Sequence, residues 1–107
     1  MKIWLDDTRV APDGWRWCRS VNEAKELIVI YEILHKISND GLDWNLECIS
    51  LDHDLGCFNS DGGDGIALMD WLVERGTLYN VEFHTMNPVG RENMVRMYRR
   101  YWLKESL

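Results

Sequence analysis

Three short apolar segments of this 107-residue chain each end abruptly in side chains that ionise, bind metals or move protons. They span residues 3–7, 49–54 and 81–85, and each begins like a buried strand. If the strands are parallel neighbours, their carboxyl ends meet at one edge of a sheet, which is where ligands bind in an open α/β sheet. Four aspartates and two histidines would gather there. Such a cluster favours a bound cation or phosphate chemistry, because neighbouring charges of one sign repel each other.

The carboxylates are candidates for metal binding. Asp6 and Asp7 end the first segment, and Asp52 and Asp54 follow the second. Side chains alternate along a strand, so Asp52 and Asp54 are expected on one face and His53 on the other, provided that the extended backbone continues. A hard cation such as Mg²⁺ would join carboxylates that otherwise repel each other. The alternative is that Asp6, Asp7 and Asp54 only begin loops or cap helices.

The histidines are candidates for proton transfer. His53 and His84 each follow a strand-like segment, so either could exchange a proton near neutral pH or stabilise charge on a phosphate. The alternative for each is a hydrogen bond to a neighbouring backbone group. His35 lies within a predicted helix and is expected on its surface. The pair at the strand ends therefore gives two candidates for general acid–base catalysis.

Arginine, hydroxyl and amide side chains at the same edge are candidates for binding phosphate. Arg91 lies near the start of the last predicted helix, whose free N–H groups and partial positive charge attract anions. Arg9 follows the first acidic pair, and Thr85 and Asn87 add hydrogen-bonding groups. Asp54 is a further candidate for contacting the substrate. The alternative is that Arg9 pairs with the acidic pair and that Arg91 is only solvated.

Two weaker patterns point to other metals. Cys57 follows His53 by four residues, which is half of a zinc motif, but no second pair completes it. Cys18, Cys48 and Cys57 form an odd set without paired spacing, so no disulfide framework is expected. Residues 59–65 resemble a calcium loop but lack its terminal Glu. We interpret them as a mobile lid or as the lead-in to a helix.

Composition and charge limit the class of protein and partner. Apolar content of 46% and charged content of 28% are typical of a soluble globular chain. The formal net charge of −6 argues against binding to a nucleic-acid duplex, but a bound cation would still admit a small phosphorylated ligand. No segment approaches the roughly 18 apolar residues of a membrane span, and the start lacks a signal-peptide pattern. We expect one cytoplasmic domain over residues 1–107, without a membrane partner.

Periodicity and turn signals predict the elements that position these groups. Residues 2–6 and 15–19 are predicted strands separated by a loop. The capping box Ser20-Val21-Asn22-Glu23 begins a helix of about five turns, and Asn39-Asp40-Gly41 ends it. Three tryptophans in less regular stretches are candidates for lining a pocket: Trp15, Trp17 and Trp44.

The second half of the chain contains two further strand–helix units. Residues 46–52 and 80–85 are predicted strands, with a helix over Gly65–Arg75 between them. A last helix begins around Asn87-Pro88 and runs to about Leu103. The order β-β-α-β-α-β-α predicts right-handed crossovers and a small, open, mainly parallel four-stranded sheet flanked by about three helices. The first connection is too short for a crossover helix, so the second strand is either a compressed parallel neighbour or an antiparallel edge.

An acidic pair after the first strand, an Asp after a central strand and a Thr after a later one resemble the receiver domains of two-component signalling. The resemblance implies that Asp6 and Asp7 hold Mg²⁺, that Asp52 is the phosphate-accepting position, and that Thr85 contacts the phosphoryl group. The chain departs from that pattern in three ways. It has four predicted strands instead of five and lacks the Lys that ends the fifth, and it has no first crossover helix.

A fuller resemblance is to the stand-alone cyclic-phosphate-processing receiver domains. It is carried by Leu5-Asp6-Asp7-Thr8-Arg9, by Ser50-Leu51-Asp52-His53-Asp54-Leu55-Gly56 and by His84-Thr85-Met86-Asn87-Pro88, which occur in this order. The resemblance covers nearly the whole chain. It implies a truncated receiver (flavodoxin-like) fold and a phosphoesterase-type activity on cyclic phosphates.

The residues and the resemblance together give three hypotheses. The first is a metal-assisted phosphoesterase acting on a cyclic phosphate of a nucleotide-like small molecule, in which Asp6, Asp7 and Asp52 hold Mg²⁺ or Mn²⁺. His53 and His84 would exchange protons, and Asp52 would either bind the metal or attack as a transient nucleophile. The second is an atypical phospho-acceptor receiver, and the third is a ligand-binding domain without catalysis.

Overall fold

The computed structural model describes residues 1–38 and 45–105. The predicted helix end at Asn39-Asp40-Gly41 and the pocket candidate Trp44 lie outside the described residues. Within them, no helix is both long and apolar enough to cross a membrane. The elements in chain order are β1 (Lys2–Leu5), β2 (Trp15–Cys18), α1 (Val21–Ile37), β3 (Cys48–Leu51), a 3₁₀ helix (Gly56–Ser60), α2 (Gly65–Arg75), β4 (Val81–Phe83), α3 (Pro88–Met97) and a π-helical segment (Tyr98–Trp102).

The four strands form one parallel sheet in the order β2-β1-β3-β4, which confirms the predicted α/β architecture. β2 is a parallel neighbour of β1, so the first connection is compressed and does not make an antiparallel edge. Residues 6–14 make this return without a helix. They are long enough, because an extended chain spans about 3.3 Å per residue and a four-residue strand is only about 13 Å long.

The three helices pack on one face of the sheet and form the core with it. Ile3 and Leu5 of β1 and Ile49 and Leu51 of β3 are fully buried in a cluster that includes side chains from all three helices. α1 contacts α2, and α2 contacts α3. Right-handed crossovers explain the one-sided arrangement, because β2–α1–β3 and β3–α2–β4 move across the sheet in the same direction.

Residues 6–14 run over the opposite face of the sheet. Trp4 points to this face because side chains alternate along β1, and its indole Nε1 donates to the Arg9 carbonyl oxygen at 3.1 Å. The register places Trp4 beside Trp17 of β2 and Ser50 of β3. Within the described residues no helix covers this face, and the candidate site is built at its carboxyl edge.

The helices largely begin and end where the sequence predicts. The Ser20 hydroxyl caps α1 by accepting from the Glu23 N–H at 3.1 Å, and Gly76 ends α2 with a left-handed φ of +73°. The last predicted helix is regular only to Met97, since Tyr98–Trp102 widen into a π-helical turn. The helical stretch therefore ends close to the predicted Leu103, but its last turn is π-helical and not α-helical.

Candidate functional site

The register of the sheet brings the residues that follow the four strands into one row. The last residues of neighbouring strands are register partners. Backbone hydrogen bonds of 2.9–3.0 Å continue the ladder one residue further at Asp6, Asp52 and His84. From the β2 edge to the β4 edge, the row is Arg19, Asp6, Asp52 and His84. The predicted meeting of polar strand ends therefore occurs, with one arginine that the sequence analysis did not include.

Asp6, Asp7 and Asp52 form an acidic centre at this edge. Each offers one carboxylate oxygen, and these oxygens lie within 4.8 Å of one another. Asp6 is fully buried and Asp52 is 8% exposed, while Asp7 is half-buried. Mg²⁺ and Mn²⁺ prefer oxygen ligands, and their charge would relieve the repulsion between the carboxylates. The donor set at the acidic centre therefore fits a hard divalent cation.

Asp6 is a fully buried carboxylate that accepts several hydrogen bonds from the protein. Its Oδ1 accepts from the backbone N–H groups of Thr8 and Arg9 at 2.9 and 2.8 Å, and its Oδ2 lies 3.0 Å from Nε2 of His84. Burial alone would raise the pKa of Asp6, but these donors together hold the pKa below its ordinary value. Asp6 therefore stays ionised and keeps a fixed orientation.

Asp52 has the opposite electrostatic character. Burial raises the pKa of Asp52 above its ordinary value, and the nearby Asp6 carboxylate adds to the rise, although a hydrogen bond with Thr85 opposes it. Because its pKa is raised in the folded state, the Asp52 carboxylate lowers the free energy of unfolding at neutral pH. Such groups are concentrated at functional sites.

His84 is fixed on both ring nitrogens and on one ring face. Its Nε2 donates to the ionised Asp6, and its Nδ1 lies 2.7 Å from the Ser50 hydroxyl. The ring is stacked on Trp4 with centroids 3.7 Å apart and planes only 6° from parallel. Because β3 lies between β4 and β1, the imidazole must cross β3 to reach Asp6. The small side chain of Ser50 leaves room for that crossing.

His53 has a different set of partners. Its Nδ1 lies 2.8 Å from Oδ1 of Asp54, and within the described residues its Nε2 has no hydrogen-bond partner. The hydrogen bond with His53 holds the pKa of Asp54 below its usual value. Asn87 donates its amide to Asp54 at 3.0 Å and caps α3 with its carbonyl oxygen. His53 is therefore oriented by a carboxylate that is itself anchored to the start of α3.

The structure separates Asp52 from Asp54, contrary to the expectation that they share a face. The strand ends at Leu51, and the backbone turns immediately afterwards. Asp52 joins the acidic centre, whereas Asp54 forms a second group of possible metal ligands with His53 and Asp64. Among the described residues, neither group contains a cysteine, and all three cysteines are free.

Two glycines allow close packing around these groups. Gly90 of α3 lies directly against the His53 imidazole, so a Cβ at this position would collide with the ring. Gly56 has a φ of +55°, and a Cβ there would lie 2.6 Å from Oδ2 of Asp7. The backbone at Gly90 therefore limits the position of the His53 ring, and the backbone at Gly56 limits the position of the Asp7 carboxylate.

Comparison with known protein families agrees with this geometry. The sequence model of the cyclic-phosphate processing receiver domain matches residues 1–100. The chain belongs to the cyclic-phosphate processing receiver domain family. No curated protein and no solved structure matches the chain significantly. The family match agrees with the four-stranded parallel sheet and three helices, so the truncated receiver fold is confirmed.

In this cyclic-phosphate processing receiver domain, the predicted phosphate-binding side chains lie at the carboxyl edge of the sheet. They differ in their burial and in their hydrogen-bond partners. Arg9 donates to the His84 carbonyl oxygen at 3.3 Å and lies 3.7 Å from Asp6. Arg91 is exposed and donates to the last carbonyl oxygen of β4 at 3.0 Å. Thr85 is buried beside Asp52.

The loop with calcium-like spacing is tied to α1 and leads into α2. The Ser20 hydroxyl donates to Asp61 at 2.7 Å, and the Asn22 amide donates to the same carboxylate at 3.1 Å. Asp64 then precedes the first residue of α2 and accepts from the Leu55 N–H at 3.1 Å. These contacts favour the interpretation of the loop as the lead-in to a helix.

Three functional candidates were missed by the sequence analysis. Trp4 and Ser50 hold His84 from two sides, and Arg19 stands in the row of strand ends. Arg19 could have been found from the sequence, because it follows its strand as Asp6 follows β1. The roles of Trp4 and Ser50 depend on the order of the strands and had no sequence signal.

Proposed function

We propose that this receiver domain is a metal-assisted phosphoesterase that hydrolyses a cyclic phosphate of a nucleotide-like small molecule. The acidic centre carries the proposal, because three carboxylates lie together at the ligand-binding edge of a sheet in a chain of this family. Asp6, Asp7 and Asp52 would hold Mg²⁺ or Mn²⁺. When bound, the ion would polarise a phosphoryl oxygen and lower the pKa of a bound water.

We assign the movement of protons to His53, because its Nε2 has no hydrogen-bond partner among the described residues. A ring that donates from Nδ1 to the Asp54 carboxylate keeps its Nε2 as the basic nitrogen. Hydrolysis adds the hydroxyl of water to phosphorus, breaks one P–O bond of the cyclic phosphate and leaves a proton for the departing oxygen. His53 would take the proton from the water and return it to that oxygen.

His84 would act through Asp6. Both of its ring nitrogens already have partners. We therefore assign His84 the role of holding the Asp6 carboxylate in place. The proton exchange predicted for His84 from the sequence remains a prediction. Arg9 and Arg91 would contact the phosphate with the N–H groups that their backbone contacts leave unused. Asn87 would anchor the His53–Asp54 pair to the start of α3.

The experiment is a phosphorus NMR assay with the whole chain and a panel of cyclic phosphates. The panel contains nucleoside 2′,3′-cyclic phosphates and ADP-ribose cyclic phosphate, each incubated with Mg²⁺ or with EDTA. We expect a phosphomonoester signal for at least one compound, and only with Mg²⁺. Steady binding without product from any compound would overturn the proposal and favour a non-catalytic binding domain.

A phospho-acceptor receiver is the second candidate function. The hydrogen bond between Thr85 and Asp52 favours it, because a hydroxyl beside the acceptor carboxylate is the arrangement that the receiver resemblance implies. No lysine of the described residues stands in the row of strand ends. Incubation with acetyl phosphate and Mg²⁺, followed by mass spectrometry, distinguishes the two candidates. A phosphoryl group on Asp52 supports the receiver, and an unmodified protein that hydrolyses cyclic phosphate supports the esterase.

A further inference from the structure

We infer that Arg19 is a preformed binding residue for a phosphoryl oxyanion of the substrate. Arg19 directly follows β2 and stands beside Asp6 in the row of strand ends. Its Nε donates to the Asp7 carbonyl oxygen at 2.9 Å. The guanidinium is therefore hydrogen-bonded to the segment that carries Asp6 and Asp7, two of the three carboxylates of the acidic centre. This inference rests on the proposed function, since it names the charge on the substrate that the site would recognise.

Two aromatic rings hold the guanidinium of Arg19 in place. Its central carbon lies 5.3 Å from the Trp17 ring centroid and 4.6 Å from that of Phe58. Trp17 belongs to β2 and donates its indole N–H to the Asp6 carbonyl oxygen at 2.7 Å, whereas Phe58 belongs to the 3₁₀ helix. Cation–π contacts with two separate elements restrict a side chain that is otherwise rich in rotamers.

The guanidinium of Arg19 forms no ion pair with the described residues, although the Arg19 backbone N–H donates to the Glu23 carboxylate at 3.2 Å. Within the described part of the chain, its side chain makes the hydrogen bond to Asp7 and the two ring contacts, and no ion pair. No residue that the structure describes accepts a hydrogen bond from the two terminal nitrogens, although the chain carries a formal net charge of −6. A fixed, exposed and unpaired guanidinium is arranged to receive an anion from outside the protein.

The planar shape of the Arg19 guanidinium favours phosphate as the ligand. A planar guanidinium presents two parallel N–H groups that match two oxygens of a phosphate. Asp7 would hold a cation through its carboxylate and accepts a hydrogen bond from Arg19 through its carbonyl oxygen. A phosphoryl group could therefore contact both, with its negative charge shared between the metal ion and Arg19. Substrates that carry a phosphoryl dianion, or a second phosphate, are the class that this arrangement favours.

The test measures binding of inorganic phosphate in the presence of Mg²⁺ by titration calorimetry. Arg19→Gln should weaken binding by about tenfold or more, as expected for loss of a charge-assisted hydrogen bond. Arg19→Lys keeps the charge but not the planar group, so we expect most of the loss to persist. Phe58→Leu removes one stacking ring and should give a smaller loss. The matched control is Arg16→Gln, an exposed arginine of β2, which should bind phosphate like the unmodified chain.

Binding of Mn²⁺, followed by electron paramagnetic resonance, separates this inference from the proposed function. We expect Arg19→Gln to bind Mn²⁺ as the unmodified chain does. If Arg19→Gln and Arg19→Lys, both folded by circular dichroism, also bind phosphate normally, the role of Arg19 is wrong and the metal site stands. If the unmodified chain binds phosphate through Arg19 but takes up no Mn²⁺, the metal-assisted function fails and the oxyanion site stands.

Discussion

Nε2 of His84 lies 3.0 Å from Oδ2 of Asp6, although the two residues follow strands that are not neighbours in the sheet. The imidazole crosses β3 above Ser50 and rests on Trp4. The pair joins two members of the row of polar strand ends that stand on either side of Asp52. The orientation of Asp6, a proposed metal ligand, therefore depends on His84, which lies 78 positions later in the chain.

We expect His84→Ala to weaken Mn²⁺ binding by about 10- to 100-fold, the usual effect of removing a group that orients a metal ligand. Oδ2 of Asp6 would lose the donor at Nε2 of His84, and the Trp4 ring would lose its stacking partner. Electron paramagnetic resonance titration measures the change. His84→Gln, which keeps a donor, should recover part of the affinity, and His35→Ala on the exposed side of α1 is the matched control. Unchanged Mn²⁺ affinity in a folded His84→Ala would argue against the assigned role.

Gly90→Ala should reduce turnover without affecting Mn²⁺ binding. The added methyl group would collide with the His53 imidazole and displace it from the Asp54 carboxylate. The acidic centre does not include His53 or Asp54, so its carboxylates should keep their positions. Turnover of a cyclic phosphate by Gly90→Ala should approach that of His53→Ala. Turnover equal to that of the unmodified chain would show that the position of His53 is not critical.

Glu32 should stabilise the fold in a pH-dependent manner. The Glu32 carboxylate pairs with Arg75 and accepts from the Tyr79 hydroxyl at 2.6 Å. Burial alone would raise the pKa of Glu32, but these partners hold it below its ordinary value of 4.5. A lowered pKa in the folded state means that the stabilisation is complete well above pH 4.5 and disappears as the pH falls through the folded-state pKa.

Glu32→Gln should therefore cost about 2 kcal/mol of unfolding free energy at pH 7, and the difference should shrink on acidification. Urea denaturation at pH 7 and at pH 4 measures both effects. Glu26→Gln changes an exposed glutamate of the same helix and is the control. A cost for Glu32→Gln that stays constant between the two pH values would contradict the assigned pairing.

Much of the architecture could be predicted from the sequence, because it depends on local patterns. The capping box at Ser20, the helix Gly65–Arg75 and the polar ends of the strands all appear as predicted. The parallel order also follows, since two strand–helix–strand units leave few alternatives. The direction of β2 was not predictable, because residues 6–14 contain no helix and are long enough for either arrangement.

The detailed site depends on contacts that the sequence does not encode locally. The alternation rule placed Asp52 and Asp54 together, but it fails where the strand ends at Leu51. The pairing of His84 with Asp6 requires the strand order and a small residue in β3. The last helical stretch ends at Trp102, close to the predicted Leu103, but its π-helical last turn was not predicted, because apolar spacing does not distinguish it from an α-helical turn.

The most direct test of the metal-assisted mechanism is phosphorus NMR of Asp52→Asn with the cyclic phosphate that the unmodified chain hydrolyses in Mg²⁺. This substitution keeps the size of the side chain and removes one ligand charge, and Asp70→Asn on the exposed side of α2 is the matched control. We expect the phosphomonoester signal to be absent for folded Asp52→Asn and normal for Asp70→Asn. Formation of the signal by Asp52→Asn at the rate of the unmodified chain would contradict the metal-assisted mechanism.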